Sequence, residues 1–267
     1  MINDPTIQSS NCTNCGAEFI GDYCYKCGQK KIELKDKSVK AFVVHFAEEF
    51  FTFDSKFFRT VKFLLFKPGY LTHEYISGRF VRYVTPLKLY LFTSIIVFFI
   101  ILKFEPDTYK EIMEPADSDE FLQEIITDQR ETLGMEEAEF GEKFNSIING
   151  LFTPGIFIMM LVFSVCLKLM YINKHIFYVE HLVFTLHFFS MVLIFFTLQT
   201  IIREINEGAD IIFLFLVPFV YLILSVKRVY HTKWIYSLIS SVIMFFIYVF
   251  LLYVWVLGTV FYTLINI

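Results

Sequence analysis

Four cysteines near the start of the chain have the spacing of a metal site. Cys12 and Cys15 form one CxxC pair, Cys24 and Cys27 form a second, and a glycine follows each pair. Two residues between thiolates let one tight turn direct both sulfurs at a single ion, and four thiolates suit tetrahedral Zn²⁺. Such a site is structural, because no ligand position is left for water. Iron with the same ligands is the alternative, and a disulfide framework would require an oxidising compartment.

The segment that carries these cysteines is too short to fold by apolar burial alone. We therefore predict a zinc-ribbon head over residues 1–32, whose folding free energy comes from one structural Zn²⁺. Its rigid turns, such as Thr13-Asn14 and Tyr25-Lys26, would suit recognition of a protein partner. Nucleic acid is a weaker candidate, because residues 11–31 hold three lysines against two acidic residues.

Three ionisable residues lie in or beside an apolar segment, where charge is costly and each such group is a candidate for function. On one helix, Glu180 and His187 share a face two turns apart, and His181 is rotated about 100° away from Glu180. These side chains could bind an ion, relay a proton or line a transport path. In the interpretation we favour, Glu180 and His181 instead lie at headgroup level and pair with Lys168, Lys174 and His175, and His187 hydrogen-bonds to a neighbouring helix.

Another polar cluster precedes the first long apolar segment. His73, Glu74, Arg79 and Arg82 could contact anionic lipid headgroups. The preference of arginine for the cytoplasmic side of a membrane would also explain the two arginines, and we favour that explanation. No catalytic residue is expected, because the chain contains no P-loop, HExxH, GxSxG or dinucleotide-binding motif.

The elements that position these residues are predicted to be membrane-spanning helices. Of the 267 residues, 56% are apolar, and four long runs contain no Asp, Glu, Lys or Arg. Because about 20 apolar residues cross the hydrocarbon layer, we predict an all-α polytopic protein with about five transmembrane helices. Their expected ranges are 84–102, 149–171, 178–202, 209–226 and 234–261.

The distribution of charge predicts an orientation. Lysine and arginine flank the start of the first predicted span and occupy the loops after the second and fourth, whereas residues 103–148 hold 14 acidic and 4 basic residues. The positive-inside rule then places the head in the cytoplasm and the C-terminus outside. A reducing cytosol would keep the four cysteines as thiols, ready for metal. The polar start of the chain predicts no cleavable signal peptide.

These features divide the chain into three parts. The head at 1–32 is followed by amphipathic interfacial helices at 33–83 and by a transmembrane domain at 84–267, whose acidic extracytoplasmic loop spans 103–148. The amphipathic part carries apolar residues at intervals of three or four, with a break expected near Asp54. These apolar residues are Phe42, Phe46, Phe50, Phe53, Phe57, Val61 and Leu64.

Several short patterns resemble an uncharacterised bacterial membrane family, DUF3667, common in Bacteroidetes. The patterns are the paired CxxCG, Gly21-Asp22-Tyr23-Cys24, Cys27-Gly28-Gln29-Lys30, Phe53-Asp54, Arg59-Thr60, Lys67-Pro68-Gly69, Glu74-Tyr75-Ile76, Gly78-Arg79, Pro86-Leu87-Lys88-Leu89-Tyr90-Leu91, Glu180-His181-Leu182-Val183-Phe184 and His187-Phe188. The resemblance implies a zinc-ribbon head on a multi-pass body in the bacterial inner membrane, and it implies no activity.

The sequence therefore favours a non-enzymatic inner-membrane protein that uses its zinc ribbon as a cytosolic docking or regulatory module. A transporter or channel is the alternative, with Glu180 and His187 lining the path and Pro218 breaking the fourth span. Enzymatic chemistry would need ligands from other spans. A homo-oligomer is compatible with either interpretation.

Overall fold

A computed structural model describes residues 11–19, 21–31, 40, 56–104, 108–113, 120–174, 176–203 and 215–267. These residues form nine α-helices and no β-strand, which confirms the all-α class. The apolar positions expected between 42 and 53, the break near Asp54 and the start of the predicted fourth span lie outside the described residues. The helices are α1 Phe57–Phe66, α2 Tyr70–Ile76, α3 Pro86–Phe104, α4 Thr108–Met113, α5 Glu120–Leu133, α6 Glu137–Met170, α7 Tyr178–Arg203, α8 Val217–Tyr230 and α9 Trp234–Asn266.

Three of the described helices are long and apolar enough to cross a membrane. They are α6, the Tyr178–Ile202 part of α7, and α9, with mean hydropathies of 2.2, 2.0 and 2.4. The expected first span coincides with α3, whose apolar stretch Pro86–Ile101 is shorter. Of the expected fourth span, 209–226, the described residues include the first part of α8, a helix of 14 residues that begins at Val217. The described helices thus support a membrane protein with three candidate spans, where the sequence predicted about five.

Helix α7 is the centre of the bundle. Other parts of the protein bury 72% of the apolar stretch of α7, compared with 35% of that of α6 and 28% of that of α9. The helix packs against α3 on one side and α6 on the other. Phe163 of α6 stacks on Phe188 of α7 with ring centroids 5.5 Å apart. Since lipid tails are as apolar as these rings, the close packing of such side chains holds the helices together.

The acidic segment folds as a small cap on the end of the bundle. This acidic cap comprises α4, α5 and the first turns of α6, and its core contains Phe140 and Phe144 packed with Val260 and Leu264 of α9. Helix α6 therefore begins at Glu137, twelve residues before the start of the predicted second span. The extension is explained by these two phenylalanines, which are fully buried one turn apart.

Two short helices connect the head to the bundle. Helix α1 buries Thr60 and Leu64, and α2 packs against α7 and α8. Between them, Gly69 has a φ of 71°, and a Cβ placed there would lie 2.8 Å from the Cα of Ser225 in α8. Only glycine allows both this backbone conformation and this approach.

Pro218 does not interrupt the middle of a described helix. It lies in the first turn of α8. A proline is tolerated there because the first N–H groups of a helix have no partner within the helix. Among the described residues, the internal proline of a helix is Pro154, in α6.

Candidate functional site

The four cysteines form a compact cluster. Their sulfur atoms all lie within 4.8 Å of one another. The Sγ atoms of Cys12 and Cys27 are 3.6 Å apart, and those of Cys15 and Cys24 are 3.5 Å apart. A tetrahedral ion with Zn–S bonds of about 2.3 Å requires sulfurs separated by about 3.8 Å. A disulfide requires about 2 Å, so the cluster fits a metal and not a pair of disulfides.

The backbone builds the same turn twice. Gly16 N–H donates to the Cys12 carbonyl, and Gly28 N–H donates to the Cys24 carbonyl, both at 2.8 Å. Both glycines have a positive φ, 76° and 73°. We call these turns the first knuckle (residues 12–16) and the second knuckle (residues 24–28). Because each turn bends the chain back on itself, it brings its own two sulfurs to one side.

The clustered thiols do not share one pKa: burial raises the pKa of Cys12, whereas the pKa of Cys27 is lowered. Burial raises the pKa of Cys27, but hydrogen bonds from the Asn14 side chain and the Gln29 backbone outweigh it and lower the pKa to about 6. The thiolate is the form that ligates a metal. Cys12 and Cys24 are each 2% exposed, so an ion among these sulfurs would be enclosed by the two knuckles.

The first knuckle contacts the helical body. Thr13 Oγ1 donates to the Gly78 carbonyl at 2.9 Å, and Gln29 Nε2 donates to the same oxygen at 2.6 Å. Gln29 also donates to Thr13 Oγ1 at 2.9 Å and is 1% exposed. Gly78 follows the C-terminal end of α2 and has a φ of 77°. The Gly78 N–H donates to the Tyr75 carbonyl, and the Arg79 N–H donates to the Glu74 carbonyl. This pair of hydrogen bonds is the pattern of a Schellman cap.

The second knuckle is open to solvent. Tyr23 and Tyr25 are 60% and 69% exposed. The two knuckles have the same backbone, yet the first one faces the protein itself. Of the two predicted recognition turns, Tyr25-Lys26 has both residues exposed and makes no bond to the body among the described residues. In the other turn, Thr13 bonds to Gly78 although it is still exposed, and Asn14 is half-buried.

The predicted polar cluster before α3 is built around one ion pair. Glu74 is 8% exposed, and its two carboxylate oxygens accept from Arg79 Nε at 3.0 Å and from Arg79 Nη2 at 2.5 Å. The hydrogen bonds from Arg79 hold the pKa of Glu74 below its usual value. Arg82 is exposed. His73 lies 3.9 Å from Glu74 and stacks edge-on against His231, which follows α8, with ring centroids 5.5 Å apart.

The three candidate residues on α7 make three separate contacts. His187 Nδ1 is 3.0 Å from the hydroxyl of Thr72 in α2, and both side chains are buried. His181 Nδ1 is 2.8 Å from the hydroxyl of Tyr230 in α8. Glu180 accepts a hydrogen bond from the Phe177 N–H at 3.2 Å. His187 thus makes the interhelical bond of the favoured interpretation. His181 is fully buried and bonds to Tyr230, where that interpretation expected pairing with Lys168 or Lys174 at headgroup level.

Sequence reasoning missed the aromatic partner of His181. Tyr230 stacks on Tyr171 of α6 with ring centroids 4.0 Å apart and planes 5° apart. Tyr171 in turn donates to Ser240 of α9 at 3.0 Å. The chain joins four helices through residues that are far apart in sequence, so no local pattern could have revealed it.

Residues 54–98 match the model of the family DUF3667, described as a protein of unknown function. The match confirms the resemblance drawn from the sequence over that stretch, which covers α1, α2 and most of α3. The cysteine cluster and the polar residues of α7 lie outside it. No curated protein and no solved structure matches the chain.

Proposed function

We propose that this chain is a non-enzymatic protein of the bacterial inner membrane whose zinc-folded head acts as a cytosolic docking or regulatory module. The observation that carries the proposal is the contact of Thr13 and Gln29 with Gly78. It holds the first knuckle against the body and leaves the second knuckle exposed. A rigid turn loses little conformational entropy when a partner binds, so the accessible turn at Tyr25-Lys26 is suited to docking.

The contact with Gly78 also connects the head to the membrane body. Gly78 caps α2, and α2 bonds to the central helix through Thr72 and His187. Binding at the second knuckle would therefore act on a head that is hydrogen-bonded to the end of a helix packed in the bundle. A regulatory role needs such a link between an exposed surface and the membrane-embedded part, and a freely tethered head would not provide it.

The proposed topology has five spans, with α3 and a helix that includes α8 as the first and fourth. The head is cytoplasmic, and the acidic cap is on the other side of the membrane. The basic residues at the ends of α6 and α8 support this orientation, because Lys168, Lys227 and Arg228 lie in the last turns of those helices. A membrane-impermeant thiol reagent added to intact cells would then leave Cys12, Cys15, Cys24 and Cys27 unlabelled.

The docking role can be tested with a photo-crosslinking amino acid at position 25 of the full chain. Position 121 is the matched control, because Phe121 is also aromatic and is 55% exposed, but lies in the acidic cap. We expect a soluble protein to crosslink at position 25, and Cys24→Ser or metal chelation to abolish the product. Crosslinking of the same protein at position 121, or at position 25 without metal, would contradict the proposal.

A transport path through Glu180 and His187 is the alternative function. Their separate contacts give it no specific support. Glu180→Gln and His187→Ala in proteoliposomes would test it, since a path that uses these side chains predicts loss of flux in both variants.

A further inference from the structure

Basic side chains from three elements converge beside α2. His73 comes from α2, Arg79 from the loop after it, and Arg228 and His231 from the end of α8 and the residue that follows. The two imidazole rings are 5.5 Å apart. The charges of Arg79, Arg228 and His231 all lower the pKa of His73, after the larger effect of burial. The four side chains therefore share one small region of the surface.

This basic cluster carries more positive than negative charge. Among the charges acting on His73, Glu74 is the acidic one, and it is already bound by two nitrogens of Arg79. Arg228 uses Nη1 to donate to the Pro68 carbonyl at 2.5 Å. A guanidinium group has five N–H donors, so both arginines are fixed in place by part of their donor set. Like charges held close together repel one another unless an anion lies between them.

The positive-inside rule explains basic residues near a membrane surface, but it does not explain this arrangement. It requires only that lysine and arginine extend into the cytosol. Arg228 and His231 meet that requirement, because both are exposed. Lys227, next in sequence to Arg228, is half-buried, and its ammonium lies over the ring of Trp234, 3.3 Å from the centroid. The side chains of His73 and Arg79 are only 33% and 35% exposed and sit against Glu74.

We propose that His73, Arg79, Arg228 and His231 bind a phosphate group at the membrane surface, either in an anionic lipid headgroup or as free phosphate. Arginine matches the tetrahedral oxygens of phosphate with paired N–H donors. Four donor side chains from separate elements suit an anion with three or more acceptor oxygens better than a carboxylate with two. The head bonds to Gly78, directly before Arg79, but none of the four proposed side chains belongs to the head. The phosphate site and the docking role are therefore tested by different variants, and either can fail while the other holds.

The test measures retention of a short-chain phosphatidylglycerol by the full-length protein in neutral detergent, using native mass spectrometry. Arg228→Gln is compared with Lys227→Gln, which removes the same charge one residue away. Hydrogen bonds to charged groups are strong enough that we expect Arg228→Gln to weaken binding about tenfold. We expect His231→Asn, which keeps a residue tolerant of its positive φ of 48°, to weaken binding as well.

Lys227→Gln should change the affinity less than twofold. Bound zinc and the melting temperature serve as fold controls in every variant. Competition by inorganic phosphate would identify free phosphate as a ligand of the site, and its failure to compete would identify the lipid headgroup. Equal losses in Arg228→Gln and Lys227→Gln would reduce the effect to general charge and overturn the proposal. Failure of both lipid and phosphate to bind the unmodified protein would overturn it as well.

Discussion

Replacing Gly69 with alanine tests why the Lys67-Pro68-Gly69 turn has its sequence. The φ of 71° alone makes an L-residue unfavourable by about 1–2 kcal/mol. The new Cβ would also lie 2.8 Å from Ser225 Cα and 3.0 Å from Ser225 O. Overpacking of this kind costs about 1–3 kcal/mol. We therefore expect Gly69→Ala to lower the free energy of unfolding by about 2–5 kcal/mol.

The obstruction at this position cannot be relieved by a change of rotamer. The three closest atoms are the Cα, carbonyl oxygen and carbonyl carbon of Ser225, all of them backbone atoms. Helix α8 would have to move away from α2. Shortening the side chain in a double variant, Gly69→Ala with Ser225→Gly, is therefore expected to give no recovery of stability.

Gly134→Ala is the matched control. Gly134 has a similar φ of 64°, and a Cβ placed there would meet no atom within 4 Å. The Gly134→Ala variant therefore measures only the cost of placing alanine at a positive φ, about 1–2 kcal/mol. Stability is measured in detergent by SDS titration and by hydrogen exchange in α2 and α8 for Gly69→Ala and in α5 for Gly134→Ala. Equal losses in the two variants would refute the reasoning, because the close approach to α8 would then contribute nothing.

Three further predictions concern the contacts of α2 and the head. Thr72→Val should lower the free energy of unfolding by about 0.5–2 kcal/mol in the same titration, whereas Thr72→Ser should retain the bond to His187. Because Arg79 lowers the pKa of Glu74 in the folded state, the stability from this pair is present above the ordinary carboxyl pKa of 4.5 and is lost as the pH falls through the lower folded value. Melting curves should show that loss, of less than about 1 kcal/mol at this partly exposed site, and Glu74→Gln should remove it. Removing the metal with a chelator should raise the rate of amide hydrogen exchange across residues 21–31 but not across Pro86–Ile101, because only the head depends on the metal for its fold. Unchanged exchange in the head would contradict the zinc assignment.

The stretch that matches DUF3667 contains residues that make contacts across the fold. Gly69 approaches α8, Thr72 bonds to α7, and Gly78 receives the first knuckle of the head. The matched residues thus describe a joint between the head and the bundle.

The sequence by itself determined that the four cysteines would form one cluster of metal-site geometry, and that the chain would be helical with membrane-type helices. The CxxC spacing places two sulfurs on one turn, and long uncharged runs form helices that lipid tolerates. Both properties are local, because they depend on neighbours a few residues apart.

Only the tertiary structure decided which polar groups meet. His187 bonds to Thr72, 115 positions away, and His181 to Tyr230, 49 positions away. Likewise, the two knuckles have the same backbone turn, and only the placement of Gly78 decides which of them bonds to the body. Periodicity shows which face of a helix a residue occupies but not which partner lies opposite, because that partner is set by how the helices pack.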